Sequence, residues 1–472
     1  MSAEPVSPEL ALQAASTWLS RFERPRVLEA VRMAPVVLDT ITLDDELPGL
    51  HIVSDGVGFA LVAGDMQAEP ILGWAAAGEF LTGQAMHPGL AELLHGWGTE
   101  ILLARQADPD KAARSNIYRQ KWDALLDSNG RAATPTVDEI QPLLAARWNQ
   151  GNGWNAHCPS DPAGPGGHAY VGCVAVALAQ VLFHHQHPWR GQRVQSYEHD
   201  RYGQITMYMA EETPAWKDMA AAGITDAVAR LLYMAGVGVR MNYGPSSSSA
   251  QSSMVVSALR LFLRYADTAR MVWRSSTPPE TWEALIPEEL QAGRPIVHRG
   301  QGPTGGHAFN LDGWRSDGYK HLNFGWGGSY NGWYTLDSIT PFGIRDYTSV
   351  QGMVVGIQPR VEELIAPRDG DHNVPPHAVL LRWKPRQDMA RIELDIAYNA
   401  QFSPVARRAI LQGHYTQHTI SGLAPSTRTF WRITWVDKTG RRYPVEPCSF
   451  VTGLSPLTHP GSGRPAMTSG RP

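Results

Sequence analysis

The run CVAVALAQVLF, residues 173–183, is apolar on nearly every face and is the feature that most constrains the fold. A helix without a polar stripe cannot lie on a surface, so this one must be enclosed at the centre of a domain. It is too short to cross a bilayer, and no run elsewhere approaches 18 uninterrupted apolar residues. Neither membrane insertion nor a transmembrane anchor is expected. Gly172 precedes the run and His184-His185-Gln186-His187-Pro188 follows it. Imidazoles suit the negative end of a helix dipole and proline stops the helix, a better account of the three histidines than a metal site.

A chain of 472 residues exceeds what one core supports, so two to four domains are expected. With 43% hydrophobic and 18% charged residues it has a globular composition. A formal net charge of -4 gives no general reason to bind nucleic acid or an anionic membrane, and protein or peptide substrates fit better. The opening MSAEPVSPEL has neither a basic region nor an apolar core of a secretory leader, which leaves the compartment open. Cys158, Cys173 and Cys448 are too few for a disulfide framework and form no CxxC pair.

Along the chain, Leu12, Ala15, Leu19 and Phe22 recur at helical spacing. Short apolar runs at Ile52-Val53, 58–63 and 71–74, punctuated by Asp-Gly and Glu-Pro, predict a small antiparallel meander, and a second helix follows near 97–105. Residues 127–139 are polar and turn-rich, an exposed connector. From Trp148 to about Pro359 helical patterns precede strand patterns, as in an α+β enzyme. Residues 364–376 again read as a linker. Strand runs at 379–383, 392–398, 419–423, 431–436 and 448–452 then predict a β-sandwich, with a Ser/Gly/Pro-rich tail behind it.

Cys173 opens the enclosed helix. The free N–H groups and the positive dipole end there favour thiolate over thiol, which is what a cysteine nucleophile needs. On its own a buried cysteine is more often a small core residue. His307, in GPTGGHAFNLDGW, lies 134 residues on (307 minus 173), and Asn323, in HLNFGWGGSYNGWY, 150 residues on (323 minus 173). Order and spacing suit a Cys-His-Asn constellation in which a histidine base is oriented by an amide. Gly305 and Gly306 before the histidine leave room for a substrate backbone.

The stretches WNQGNGWN, VGCVAVALAQVLFHHQHP, NYGPSSSSAQSS, GGHAFNLDGW and HLNFGWGG, in this order, resemble successive motifs of the streptopain and interpain family of papain-like cysteine proteases. GFALVAGD and ILGWAAAGEF in the preceding region are similar to that family's inhibitory propeptide. The fold expected is α+β: a propeptide-like domain over 1–135, a papain-like protease domain over 136–360, a fibronectin type III-like β-sandwich over 365–455 and a disordered tail over 456–472. The resemblance implies a cysteine endopeptidase zymogen that cleaves peptide bonds through a thioester, without metal or cofactor, held latent by its own N-terminal propeptide. It implies secretion or another extracytoplasmic place of action, and an apolar preference beside the cut. It assigns Cys173 as nucleophile, His307 as base, Asn323 as orienting residue and Gln150 as oxyanion donor, with Gly244, Ser246, Ser248, Gly306 and Trp326 along the cleft.

One departure stands out: Phe324 follows the asparagine where the family usually has tryptophan. The expected shield over the Asn-His hydrogen bond is therefore smaller. A catalytically weak or inactive papain-like scaffold that binds peptides or surfaces is the alternative, and Phe324 is the feature that favours it. Acyl transfer of the transglutaminase kind, with an Asp in the triad, fits Asn323 poorly. From composition alone the serine row 246–249 reads equally as a flexible linker.

Overall fold

The computed structural model describes residues 4–43, 46–83, 86, 88–106, 115–127, 137–302, 305–337, 351–360, 364–386 and 388–454. Most of the connector expected over 127–139 and all of the expected tail over 456–472 lie outside these residues. The chain forms two compact units, residues 1–360 and 361–472.

The first unit begins with α1 (Pro8–Leu19), capped by Ser7, whose hydroxyl accepts from the Leu10 N–H at 3.3 Å. Next come α2 (Arg26–Glu29), β1 (Val36–Thr42), β2 (Pro48–Ser54), β3 (Phe59–Ala63), β4 (Ile71–Ala75), α3 (Pro88–Gln106), α4 (Ser115–Leu126) and β5 (Glu139–Ile140). The central region adds α5 (Cys173–His185), β6 (Gln195–His199), β7 (Gly203–Met207), α6 (Asp226–Gly238), α7 (Met254–Leu261), β8 (Arg270–Trp273) and α8 (Pro279–Gln291). It ends with β9 (Ile296–Gly302), β10 (Gly305–Arg315), β11 (Tyr319–Asn323), β12 (Gly332–Thr335) and β13 (Gly352–Val355).

The meander expected at the N-terminus forms, but it does not close on itself. One sheet runs β1-β2-β3-β4-β12-β11-β10-β9-β13-β8, so β4 of the N-terminal region pairs directly with β12 of the central region, Trp74 opposite Trp333. Gly73 makes this approach possible, since a Cβ there would stand 2.6 Å from Tyr334 Cδ1. The Trp74 and Trp333 rings stack at 6.0 Å and Phe22 stacks on Trp74 at 3.8 Å. Arg315 lays its guanidinium 5.4 Å from the Trp74 ring centre and 5.8 Å from that of Trp333. Contacts of these kinds contribute about 0.5–1.5 kcal/mol each beyond the burial of the rings. The N-terminal region is thereby built into the larger sheet.

Alternation along β9 and β10 divides the core in two. Ile296, Phe309 and Leu311 face a cluster with Leu61, Trp74, Trp97 and Trp282. Val297 and Ala308 face the opposite cluster, which contains α5. The apolar run of α5 is buried at every residue from Val174 to Leu182. The helix ends where Gln186 turns left-handed at φ 45°.

The second unit is a β-sandwich. Its strands are β14 (Leu364–Ala366), β15 (Asp371–Val374), β16 (Val379–Trp383), β17 (Met389–Ala397), β18 (Arg407–Gln412), β19 (Gln417–Ile420), β20 (Arg428–Asp437), β21 (Arg442–Pro444) and β22 (Cys448–Thr452). One sheet runs β14-β16-β19, the other β15-β22-β20-β17-β18 with β21 beside β20. Inward residues alternate as in any half-buried strand: Leu381, Trp383, Ile392, Leu394, Ile396, Trp431, Ile433 and Trp435 fill the core. The linker expected over 364–376 is corrected, because Leu364 pairs with Trp383 and Asp371 with Phe450. Neither short strand has an alternating pattern, and pairing rather than propensity forms them.

Candidate active site

Cys173 is the first residue of α5, and the backbone before it sets its position. Gly172 has φ 89°, a conformation open to glycine, and a Cβ there would stand 2.6 Å from the Met241 thioether and 3.2 Å from Ser248 Cβ. The backbone N–H groups of Ala308, Val174 and Cys173 itself favour the ionised form of the Cys173 thiol. Burial is the larger influence and pushes the thiol above its ordinary range, while these N–H groups draw it back. The expectation of a thiol lowered by the helix terminus is therefore corrected: the terminus acts in the expected sense, and desolvation outweighs it. Cys158 is buried without that compensation and its thiol is pushed up to about 12, as for an inert core residue.

His307 lies near the start of β10, opposite Gly300 of β9, and is half-buried. The next residue, Ala308, supplies one of the N–H groups that favour the Cys173 thiolate. β10 packs on α5, where Asn310 Nδ2 donates to the Ala177 carbonyl at 3.1 Å. Gly306 is exposed beside them.

Gln150 is carried by the loop that runs alongside the approach to Cys173. Its carbonyl accepts from the Val171 N–H at 2.9 Å, and its own N–H donates to Asn149 Oδ1 at 2.7 Å. The same loop holds the glycine turn after β11, since the Gly327 N–H donates to the Trp148 carbonyl at 2.9 Å. Gly325 in that turn, at φ 71°, rests on the first turn of α5, where a Cβ would stand 2.8 Å from Val176 Cγ1.

Asn323 is brought to the same region but is engaged elsewhere. Its Oδ1 accepts from Gln180 Nε2 and from the Gly325 N–H, both at 3.1 Å, and its Nδ2 donates to the Ala146 carbonyl at 2.8 Å. Both lone pairs of the oxygen are taken, leaving no acceptor for an imidazole N–H. The expectation that Asn323 orients His307 is corrected: the side chain ties β11 to α5. The shielding expected of Phe324 falls with it, for this ring packs in the core against Phe309 at 5.4 Å and Tyr334 at 5.5 Å.

Gln180 is the residue that sequence reasoning passed over. It is fully buried on α5, donates to Asn323, and accepts from Asn310 Nδ2 at 2.7 Å, while Asn310 also donates to the Ala177 carbonyl at 3.1 Å. The signal was present as the one polar letter in CVAVALAQVLF, although nothing local named its partners.

The serine row is closed rather than free. Asn242 and Ser249 exchange backbone hydrogen bonds at 2.9 and 3.1 Å, and Ser248 Oγ donates to the Tyr170 carbonyl at 2.7 Å while accepting from the Gly244 N–H at 3.0 Å. Ser248 thus fastens the loop beside Gly172, and Ser246 is exposed on it. Trp326 is half-buried and lies 6.4 Å from the Tyr330 ring. The histidines ending α5 address backbone carbonyls and a hydroxyl: His184 those of Leu143 and Gly293, His185 that of Gly293 and the Tyr265 hydroxyl, His187 that of Arg264.

Residues 148–334 match the Peptidase C10 family and residues 3–101 match the Spi protease inhibitor family. Streptopain of Streptococcus pyogenes is 29% identical over 355 residues, covering 69% of this chain and 85% of its own. The thiol protease/hemagglutinin PrtT of Porphyromonas gingivalis is 31% identical over 326 residues, 65% of this chain and 36% of that protein. Among solved structures, a mutant prointerpain A fragment of Prevotella intermedia superposes with a TM-score of 0.53 at 25% identity, covering 68% of this chain and 98% of the fragment.

Proposed function

The chain belongs to the peptidase C10 family, with a Spi-inhibitor-like region ahead of the peptidase, and from that premise we propose that it is the zymogen of a cysteine endopeptidase acting through Cys173 and His307. The observation that carries this reading is the packing of β10 on α5, where Asn310 Nδ2 donates to the Ala177 carbonyl at 3.1 Å, so that the strand bearing His307 lies against the helix that begins at Cys173.

In this reading His307 takes the thiol proton and the thiolate attacks a peptide carbonyl, giving a thioester and an oxyanion met by the Gln150 side chain and the Cys173 N–H. His307 then gives its proton to the leaving amine and activates water for release of the acyl group. Substrates are proteins or peptides, which pass Gly306, the Gly244–Ser248 loop and Trp326. Residues 1–135 act as the inhibitory propeptide of residues 136–360, residues 365–455 form a fibronectin type III-like accessory domain, and the enzyme works outside the cytoplasm.

A weak or inactive scaffold is the second reading, favoured by the upward push that desolvation gives the half-buried Cys173 thiol. One experiment separates the two. Wild-type protein in reducing buffer is expected to cleave casein and to take iodoacetamide at Cys173, and Cys173→Ala to do neither while keeping its far-UV spectrum. Casein cleavage by Cys173→Ala would sink the assignment, and a labelled but inert wild type would favour the scaffold.

A further inference from the structure

The outer face of the larger sheet in the C-terminal unit gathers five arginines around two carboxylates. Asp395 of β17 stands opposite Arg408 of β18 and Arg432 of β20, and Glu393 stands opposite Ile410 and Thr434. Arg391 stands opposite Val436, and Val436 opposite Arg442 of β21. Directly opposed residues share a face of the sheet. This face is turned away from the core that Ile392, Leu394, Ile433 and Trp435 fill. Arg428 lies on it too, four residues before Arg432 along β20.

Each carboxylate holds two of the arginines. Asp395 takes Arg408 at 2.6 Å and Arg432 at 3.0 Å, and Glu393 takes Arg442 at 2.6 Å and Arg391 at 3.3 Å. Arg428 meets no carboxylate among the described residues. The pairing therefore leaves positive charge in excess. It also orients the cations without exhausting them, since a guanidinium has five donors and each of the four spends one or two on its carboxylate. Arg391, Arg408, Arg428 and Arg442 are exposed, and Arg432 is half-buried with its guanidinium 4.2 Å from the Phe402 ring centre. Residues 361–454 hold 12 Lys or Arg against 9 Asp or Glu, in a chain whose total is -4. The excess of acid lies elsewhere in the chain.

We propose that this face docks a sulfated polysaccharide and so tethers the chain to an anionic glycan. A sulfate group offers fixed negative charge and several oxygen acceptors to the planar fork of an arginine. Arg408 and Arg432 flank β17 two strand spacings apart, about 10 Å at the backbone, so a linear polyanion laid across the strands meets both. Nucleic acid fits less well. A single strand needs exposed aromatic rings to stack on and a duplex needs an element that enters a groove, whereas this face is a sheet with Phe430 half-buried and Phe402 buried. A membrane surface likewise favours aromatic anchors that this face does not expose among the described residues. The inference goes beyond the protease reading and does not depend on Cys173.

The test uses the full chain carrying Cys173→Ala, so that no self-cleavage intervenes, with dextran sulfate as the probe and neutral dextran as the control. Dextran sulfate is expected to bind and neutral dextran not to, with affinity falling about 10-fold or more between about 50 and 200 mM salt. Arg408→Gln combined with Arg432→Gln should weaken binding by about 10-fold or more, and Arg428→Gln, which breaks no ion pair, by about 3-fold. Arg382→Gln, on the other sheet of the sandwich, should leave it unchanged. A lowered urea midpoint would mark a misfolded double variant, and Arg428→Gln then carries the comparison. No binding of dextran sulfate, or undiminished binding by the Arg428 and Arg408/Arg432 variants, overturns the proposal. Tighter binding to an anionic phospholipid vesicle or a single-stranded oligonucleotide at the same salt also overturns it, and assigns the face to a membrane or to nucleic acid.

Discussion

Gln180 Nε2 donates to Asn323 Oδ1 at 3.1 Å across the join between α5 and β11, and Gln180 Oε1 accepts from Asn310 of β10. The helix that begins at Cys173 is thereby locked in register with the strand that carries His307. Gln180→Leu removes one buried hydrogen bond from each of two amides and is expected to cost about 2–3 kcal/mol, read as a lower urea midpoint. Activity should fall mainly in kcat, since the amides touch no substrate. An unchanged midpoint would show that the network is not a structural tie.

Asn323→Ala distinguishes a structural amide from an orienting one. The variant is expected to lose about 2–4 kcal/mol of stability, while the folded fraction keeps the shape of its pH–rate profile. A displaced acid limb without loss of stability would return Asn323 to the imidazole.

The seam between β4 and β12 offers a test of latency. Gly73→Val forces a Cβ against Tyr334 and should loosen the N-terminal region without touching the dyad. Full-length Gly73→Val is expected to shorten itself faster than wild type in reducing buffer, followed on a gel. Equal or slower processing would dissociate the seam from latency.

The reactivity of the Cys173 thiol offers a further test. Because the Cys173 thiol is pushed up in the full chain, its thiolate fraction at pH 7 is below that of an ordinary cysteine, and alkylation should be slow and rise with pH. Once the N-terminal region has been removed, labelling is expected to quicken and to persist at lower pH. Identical rates for the two forms would count against a link between burial and latency.

His298 supplies an acid-sensitive element. Enclosed in the core, with its ring stacked 4.9 Å from Phe309, its pKa is depressed to about 3, chiefly by burial and secondly by the charge of Arg274. The folded protein therefore holds it neutral. Its contribution is present above the unfolded value near 6.5 and is lost as pH falls toward 3. Stability should drop between pH 7 and 4 by up to about 3 kcal/mol from this group, and His298→Phe should flatten that drop. An equal drop in the variant would assign acid sensitivity elsewhere.

The second unit has its own core and carries no candidate catalytic residue. A chain ending at residue 360 is expected to hydrolyse peptides within a few fold of the full protein. A well-folded truncation without turnover would show that the sandwich contributes to the site.

Much of this was legible in particular residues. The apolar run after Gly172 required an enclosed helix, and the glycines before His307 marked a close approach, so both members of the proposed dyad could be named. Five strand runs of the C-terminal unit could be read from their patterns. β18 could not, because in RRAILQ Ala409 and Leu411 pack only partly against the core while Ile410 between them is exposed, so its apolar residues do not alternate with polar ones. Asn323 shows the limit of spacing: it arrives where the separation from Cys173 predicted, yet its oxygen is saturated by Gln180 and Gly325 before any imidazole can use it.

The sequence by itself determined which segments had to be buried and which residue types could do nucleophilic chemistry, since hydrophobic periodicity and side-chain identity are local properties. Only the tertiary structure decided how far the thiol is desolvated, whose lone pairs the amides fill, and that β4 of the N-terminal region pairs with β12. Those depend on atoms brought together from distant parts of the chain, because desolvation, hydrogen-bond saturation and cross-strand register do not exist until the sheet has formed.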